Sequence, residues 1–208
     1  MTLKILNLYA GIGGNRKLWG GDMEVTAIEI DPQIAKIYQD FFPNDKVIVT
    51  DAHQFLLEHY NEFDFIWSSP PCQSHSQIRF RLGVLCNVNK AVYPDMKLYE
   101  EIIFMNNHCK CKWVVENVKG YYKPLIKPQS LQRHYFWSNF IIADKHFKKD
   151  NIRRSNNKFK EENLGFNLSK YKGINKETLL RNCVKPEVAL HIFNLAFKDK
   201  QRRLVDLA

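Results

Sequence analysis

The stretch Ser68-Ser69-Pro70-Pro71-Cys72-Gln73 places a thiol directly behind two prolines. Proline fixes its own φ and offers no amide donor, so the pair stiffens the approach and holds Cys72 in one place. A thiol at a strand end, exposed to a basic site, can ionise and act as a nucleophile. Farther along, Glu116-Asn117-Val118 closes another apolar run. A carboxyl buried there can stay partly protonated and supply a proton.

Three further features sit upstream. Tyr9-Ala10-Gly11-Ile12-Gly13-Gly14 follows the first apolar stretch, and its glycines allow a sharp turn and close backbone approach to a ligand. A dinucleotide loop would place a glycine where Arg16 stands. Glu29 ends the second apolar run, where a carboxylate can accept hydrogen bonds from both hydroxyls of a ribose. Asp51 follows the third, positioned to meet an adenine edge. Together these features describe a nucleoside cofactor held without a clear pyrophosphate grip.

The elements that must position these residues alternate. Strands are expected over 3–9, 24–30, 46–50, 63–67 and 112–117, with helices over 33–41, 54–60 and 97–107 between them. That order implies an α/β fold with a parallel sheet covered on both faces, and ligands then bind at the carboxyl ends of the strands. Beyond Pro128, a hairpin is expected between Tyr135-Phe136-Trp137 and Phe140-Ile141-Ile142. A last helix is expected over 186–197, with Val188, Ile192, Leu195 and Ala196 on its inner face.

With these residues in hand, the chain resembles the cytosine-C5 DNA methyltransferase family from end to end. The glycine loop is similar to the family's cofactor loop, and Pro71-Cys72-Gln73 and Glu116-Asn117-Val118 to its nucleophile and Glu-Asn-Val motifs. Asn182-Cys183-Val184 with Pro186 resembles its last motif. The resemblance implies a Rossmann-like, S-adenosylmethionine-dependent methyltransferase sheet and S-adenosyl-L-methionine as cofactor. It implies that Tyr9, Ala10, Gly11, Gly13, Gly14, Glu29, Ile30, Asp51, Ala52, Pro70, Asn182 and Val184 bind that cofactor. Cys72 is the implied nucleophile toward a flipped cytosine, and Glu116 the acid at N3. The family's Gln-x-Arg-x-Arg motif is replaced by Gln132-Arg133-His134, so the cation expected at the cytosine O2 is Arg133 or His134. The last motif opens with Arg181-Asn182 where the family usually has Gly-Asn.

Composition agrees with a polyanionic partner. The net charge is +9, and residues 141–178 hold eight Lys and two Arg against five acids. By resemblance, residues 1–140 and 179–208 form the catalytic and cofactor-binding domain, with 141–178 a short, basic target-recognition segment. Double-stranded DNA is the expected partner. Its expected contacts are Gln73, Ser76, Arg79 and Arg81 in the loop after the nucleophile, and Lys148, Lys149, Arg153 and Arg154 in the basic segment. A tRNA cytosine methyltransferase and a catalytically silent DNA-binding module on the same fold are the alternatives. The five cysteines show no metal spacing, and no apolar run is long enough to span a membrane. A monomer in the cytoplasm is expected, and a companion restriction endonuclease is left open.

Overall fold

The computed structural model describes residues 2–148 and 155–198. Seven strands form one sheet: β1 (Leu3–Leu8), β2 (Met23–Glu29), β3 (Lys46–Val49), β4 (Phe65–Ser68), β5 (Lys112–Val118), β6 (Gln129–Leu131) and β7 (His134–Ser138). Their order is β3-β2-β1-β4-β5-β7-β6, with β1 to β5 parallel and β7 antiparallel to both neighbours. β1, β4 and β5 are central and buried on both faces, which is why they read as nearly unbroken apolar runs.

The helices are α1 (Pro32–Phe41), α2 (Ala52–His59), α3 (Lys97–His108), α4 (Asn157–Leu164), α5 (Lys176–Asn182) and α6 (Pro186–Ala196). Local chemistry sets their starts. Asp31 caps α1 through the Gln33 and Ile34 amides with Pro32 in the first turn, and Asp51 caps α2 through Gln54. On one face, Leu56 of α2 and Leu98, Ile102 and Met105 of α3 cover Leu6, Leu8, Ile28 and Ile66. On the other, β1 joins β2 through a single 3-10 turn (Arg16–Leu18) instead of a full helix. The C-terminal α6 covers that face, with Phe193 stacked on Trp19 at 5.0 Å between ring centroids. Burying Val188, Ile192, Phe193 and Leu195 removes enough apolar surface for roughly 1.5–3 kcal/mol each, before side-chain entropy is charged.

Two sequence expectations are corrected. The hairpin is β6–β7, turning at Gln132-Arg133, and Phe140-Ile141-Ile142 is not a strand. The Gln129 side chain explains this: its amide nitrogen donates to Ser138 Oγ and the Phe140 carbonyl, and its oxygen accepts from the Ile142 amide. That side chain straps 140–142 down where ladder bonds would otherwise be needed. The basic segment also holds more core than its polarity suggests. Leu164, Phe166 and Leu168 pack with Ile12, Ile37, Leu179 and Leu180, beside the glycine loop. Asn156 caps α4, and Gly165 ends it at φ 70°.

Candidate active site

The chain order of the strands reverses at β1 and β4, and ligands of open α/β sheets bind at such a point. A cleft of about 300 Å³ lies there, walled by the residues just past β1, β2, β4 and β5. It brings together most of the residues singled out by sequence. The walls include Tyr9, Ala10, Gly11 and Gly14 from the first loop, Glu29 and Ile30 from the second, and Pro70, Cys72 and Gln73 from the fourth. Glu116, Arg133, His134, Asn182 and Val184 complete them. Gly13 is buried behind the wall, and Asp51 and Ala52 stand outside it.

The first half of the cleft is built by backbone geometry. Gly11 sits at φ 55°, and a side chain added there would project into open space. Its amide donates to Glu29 Oε2 at 2.9 Å, and the Asp31 amide donates to Oε1 at 3.1 Å. Each carboxylate oxygen thus has one fixed donor and a remaining lone pair. Gly14 permits contact with the segment after α5: a Cβ there would lie 2.6 Å from Cys183 Cβ. Tyr9 also has a left-handed backbone, at φ 55°, a conformation that costs a non-glycine residue on the order of 1–3 kcal/mol. Asp51 is held ionised by the Gln54 amide and by Lys97, 3.7 Å away.

The second half is chemical. The Asn117 amide donates to the Pro70 carbonyl at 2.9 Å, which fixes the loop leading to Cys72. Burial pushes the Cys72 thiol up to about 11. The Glu116 carboxylate adds to that, while Arg133 opposes it. The resting residue is therefore a thiol that gives up its proton during attack, because the cleft is desolvated and Glu116 lies near. Glu116 itself is pushed up to about 7 by burial, against the opposing pull of the Ser69 hydroxyl and Arg133. His134 Nε2 lies 3.5 Å from Glu116 Oε1, and Arg133 donates to the Cys183 carbonyl at 3.0 Å. Both candidate cations thus face the same cleft.

Over residues 3–135, which carry this whole arrangement except α5 and the segment after it, the sequence matches the family model of the C-5 cytosine-specific DNA methylases. The chain belongs to the C-5 cytosine-specific DNA methylase family. It is 36% identical over 84 residues to the Type II methyltransferase M.Bsp6I of Bacillus sp. (strain RFL6), a match covering 39% of this chain and 26% of that protein. It is 30% identical over 82 residues to the human tRNA (cytosine(38)-C(5))-methyltransferase, covering 36% and 21%. The matched stretch thus spans about a quarter or less of these curated relatives. A Spodoptera frugiperda DNMT2 mutant structure superposes with a TM-score of 0.45 at 21% identity, covering 66% of this chain and 49% of that one.

S-adenosyl-L-methionine is the cofactor of this methylase family member. The residues present fit it: an open glycine turn and a carboxylate with free lone pairs meet in one cleft with the thiol. The expected nucleic-acid contacts are more scattered. Gln73 is exposed at the cleft. Ser76 pairs with Gly120 in an isolated bridge, and Phe80 stacks on Tyr121 at 4.5 Å, so the loop after Cys72 is docked on the segment after β5. Arg81 is exposed, while the Arg79 Nε is buried with no hydrogen-bond partner among the described residues. Lys148 is exposed, and Lys149, Arg153 and Arg154 lie outside the described residues.

Two residues that shape the cleft were missed by sequence reading. Asn117 was noted only as part of a motif, yet it ties β5 to the nucleophile loop. Glu101 went unnoticed on α3. Its signal was an acid on the apolar stripe of Leu98, Ile102 and Met105. Among the described residues, no helix is long and apolar enough to cross a membrane, and no cluster of three His, Cys, Asp or Glu could hold a metal.

Proposed function

We propose that this protein transfers a methyl group from S-adenosylmethionine to C5 of cytosine in DNA, through a covalent bond between Cys72 and C6. The observation that carries the reading is the single cleft in which Cys72, the proton-holding Glu116 and the Gly11–Glu29 pair converge. Cytosine C5 is a poor nucleophile. Addition of sulfur to C6 with protonation at N3 turns C5 into an enamine carbon. The protonation states make that addition a proton relay. As sulfur bonds to C6 the Cys72 thiol gives its proton to water, and Glu116, at about 7, delivers a proton to N3. Arg133, charged at any pH, offers the positive charge for the cytosine O2 and for the charge that develops on the ring, and His134 is the alternative donor there.

Glu29, the Gly11 turn and the Asn182-Cys183-Val184 segment would hold the cofactor, which supplies a sulfonium-activated methyl group to the activated C5. The C5 proton then leaves to water, the C6–S bond breaks, the N3 proton returns to Glu116, and the Cys72 sulfur takes a proton back from water. The net exchange is one methyl gained and one proton released. Sulfur cannot reach C6 inside a base stack, so the cytosine must leave its stack to enter the cleft.

A second reading, a tRNA cytosine as substrate, is favoured by the resemblance to the human tRNA (cytosine(38)-C(5))-methyltransferase. The test is transfer of tritiated methyl from S-adenosylmethionine to duplex DNA and, separately, to tRNA, with Cys72→Ala as control. Label in DNA supports the first reading, and label in tRNA alone replaces it with the second. Label in neither, with cofactor bound, leaves a catalytically silent binding module.

A further inference from the structure

Directly behind the cleft, α3 carries a carboxylate that the chemistry above does not use. Glu101 is 1% exposed and does not line the cleft. It accepts from the Tyr9 hydroxyl at 2.6 Å and from the Ser68 hydroxyl at 2.6 Å, and it lies 3.1 Å from His53 Nδ1. Those three partners stand at three different strand ends. Tyr9 begins the glycine loop, Ser68 ends β4 four residues before Cys72, and His53 opens α2 two residues after Asp51. The other ring nitrogen of His53 lies 3.3 Å from Glu100.

Tyr9 is the partner that reaches the cleft. It lines the cleft, and its backbone is left-handed without being glycine. Such a backbone persists only where its surroundings over-determine it. The backbone side is set by the sheet, since the next residue's amide donates to the Ile28 carbonyl. The side-chain end is set by Glu101. Burial and the adjacent carboxylate raise the Tyr9 hydroxyl far above its ordinary range, so it remains a proton donor.

We propose that Glu101 is a positioning residue for the cofactor: by accepting from Tyr9 it holds the glycine loop in its cofactor-binding shape, and by accepting from Ser68 it keeps that loop in register with the nucleophile loop. The inference rests on the cofactor reading above. It predicts that Glu101 and Tyr9 act on the cofactor as a unit, as residues within one hydrogen-bond network do.

The test is calorimetric titration of the full chain with S-adenosylhomocysteine. Four variants are compared with wild type: Tyr9→Phe, Glu101→Leu, Glu101→Gln and the double Tyr9→Phe/Glu101→Leu. Glu101→Leu removes the acceptor and is expected to weaken binding about tenfold or more, the scale of one charge-assisted hydrogen bond. Glu101→Gln keeps an acceptor oxygen and recovers most of that loss. The double variant binds no more weakly than the worse single variant, whereas independent structural damage would multiply. Wild type that binds, with Glu101→Leu within twofold of it or with multiplying losses, overturns the inference. If Glu101→Leu does not fold, Tyr9→Phe decides alone, and wild-type affinity in that variant overturns the inference. Wild type that fails to bind S-adenosylhomocysteine overturns the cofactor reading beneath it instead.

Discussion

Replacing Glu116 by Gln should cripple the chemistry and strengthen the fold at once. The Glu116 side chain is buried at the cleft wall, and its carboxyl is pushed from 4.5 up to about 7 by desolvation. In the unfolded chain it loses its proton near 4.5. Between those two values the folded state binds more protons than the unfolded one, so stability falls as pH rises through that window. The span of about 2.5 pH units corresponds to about 3 kcal/mol at 1.36 kcal/mol per unit. Glutamine is neutral at every pH and never incurs this cost. Urea unfolding of both proteins at pH 5 and pH 8 measures it. The variant should gain on wild type by about 2–3 kcal/mol between the two pH values. The same change removes a negative charge near Cys72, whose thiol is pushed from 9.0 up to about 11. Iodoacetamide labelling of Cys72 at pH 8 should therefore accelerate. The ceiling is about a hundredfold, the whole of that elevation. Methyl transfer should fall by about 10²–10⁴, the usual worth of a positioned general acid. Parallel stability curves for the two proteins, or slower labelling in the variant, would refute the placement of a buried, proton-holding carboxyl next to the thiol.

Two further outcomes follow from the same geometry. Glu29→Ala should weaken S-adenosylhomocysteine binding by about tenfold or more, since hydrogen bonds to a charged group are worth about 1.5–3 kcal/mol each; calorimetry checks it, and unchanged affinity places the ribose elsewhere. Replacing Lys148, Lys149, Arg153 and Arg154 by Ala should weaken DNA binding across sequences and flatten its salt dependence by several units of log–log slope, about 0.9 per lost phosphate contact; an unchanged slope removes the basic segment from the interface.

The parts of the cleft that were readable from sequence share one property: each is a residue type with few other uses at its position. A cysteine behind two prolines, a glycine-rich turn after a buried strand, and single acids at strand ends are uncommon choices locally. The parallel sheet then guarantees that strand ends meet. What was not readable depends on contacts distant in the chain. The protonation of Cys72 is set first by burial in the assembled cleft, and then by β5 and the β6–β7 turn, which supply Glu116 and Arg133. The core within residues 157–182 depends on Leu164, Phe166 and Leu168 meeting Ile37 of α1, more than 120 positions earlier, so no local periodicity announces it. The true hairpin partner of β7 was masked by Phe140 and Ile142. These look like strand residues but are buried under α6 by a single glutamine's hydrogen bonds. Glu101 lay inside an otherwise ordinary amphipathic helix, and only its partners reveal why an acid is tolerated there.

The central claim is that Cys72 attacks C6 of a cytosine. A cytosine bearing fluorine at C5 has no C5 proton to lose, so after methyl transfer the C6–S bond cannot break and the protein stays attached. Incubation with S-adenosylmethionine and duplex DNA, and in parallel RNA, containing 5-fluorocytosine, followed by denaturing electrophoresis and peptide mass analysis, reads the result directly. The account predicts a denaturation-resistant adduct that maps to the peptide containing Cys72 and vanishes in Cys72→Ala. An adduct on Cys86, Cys109, Cys111 or Cys183, or none with either nucleic acid from a protein that binds the cofactor, would contradict it.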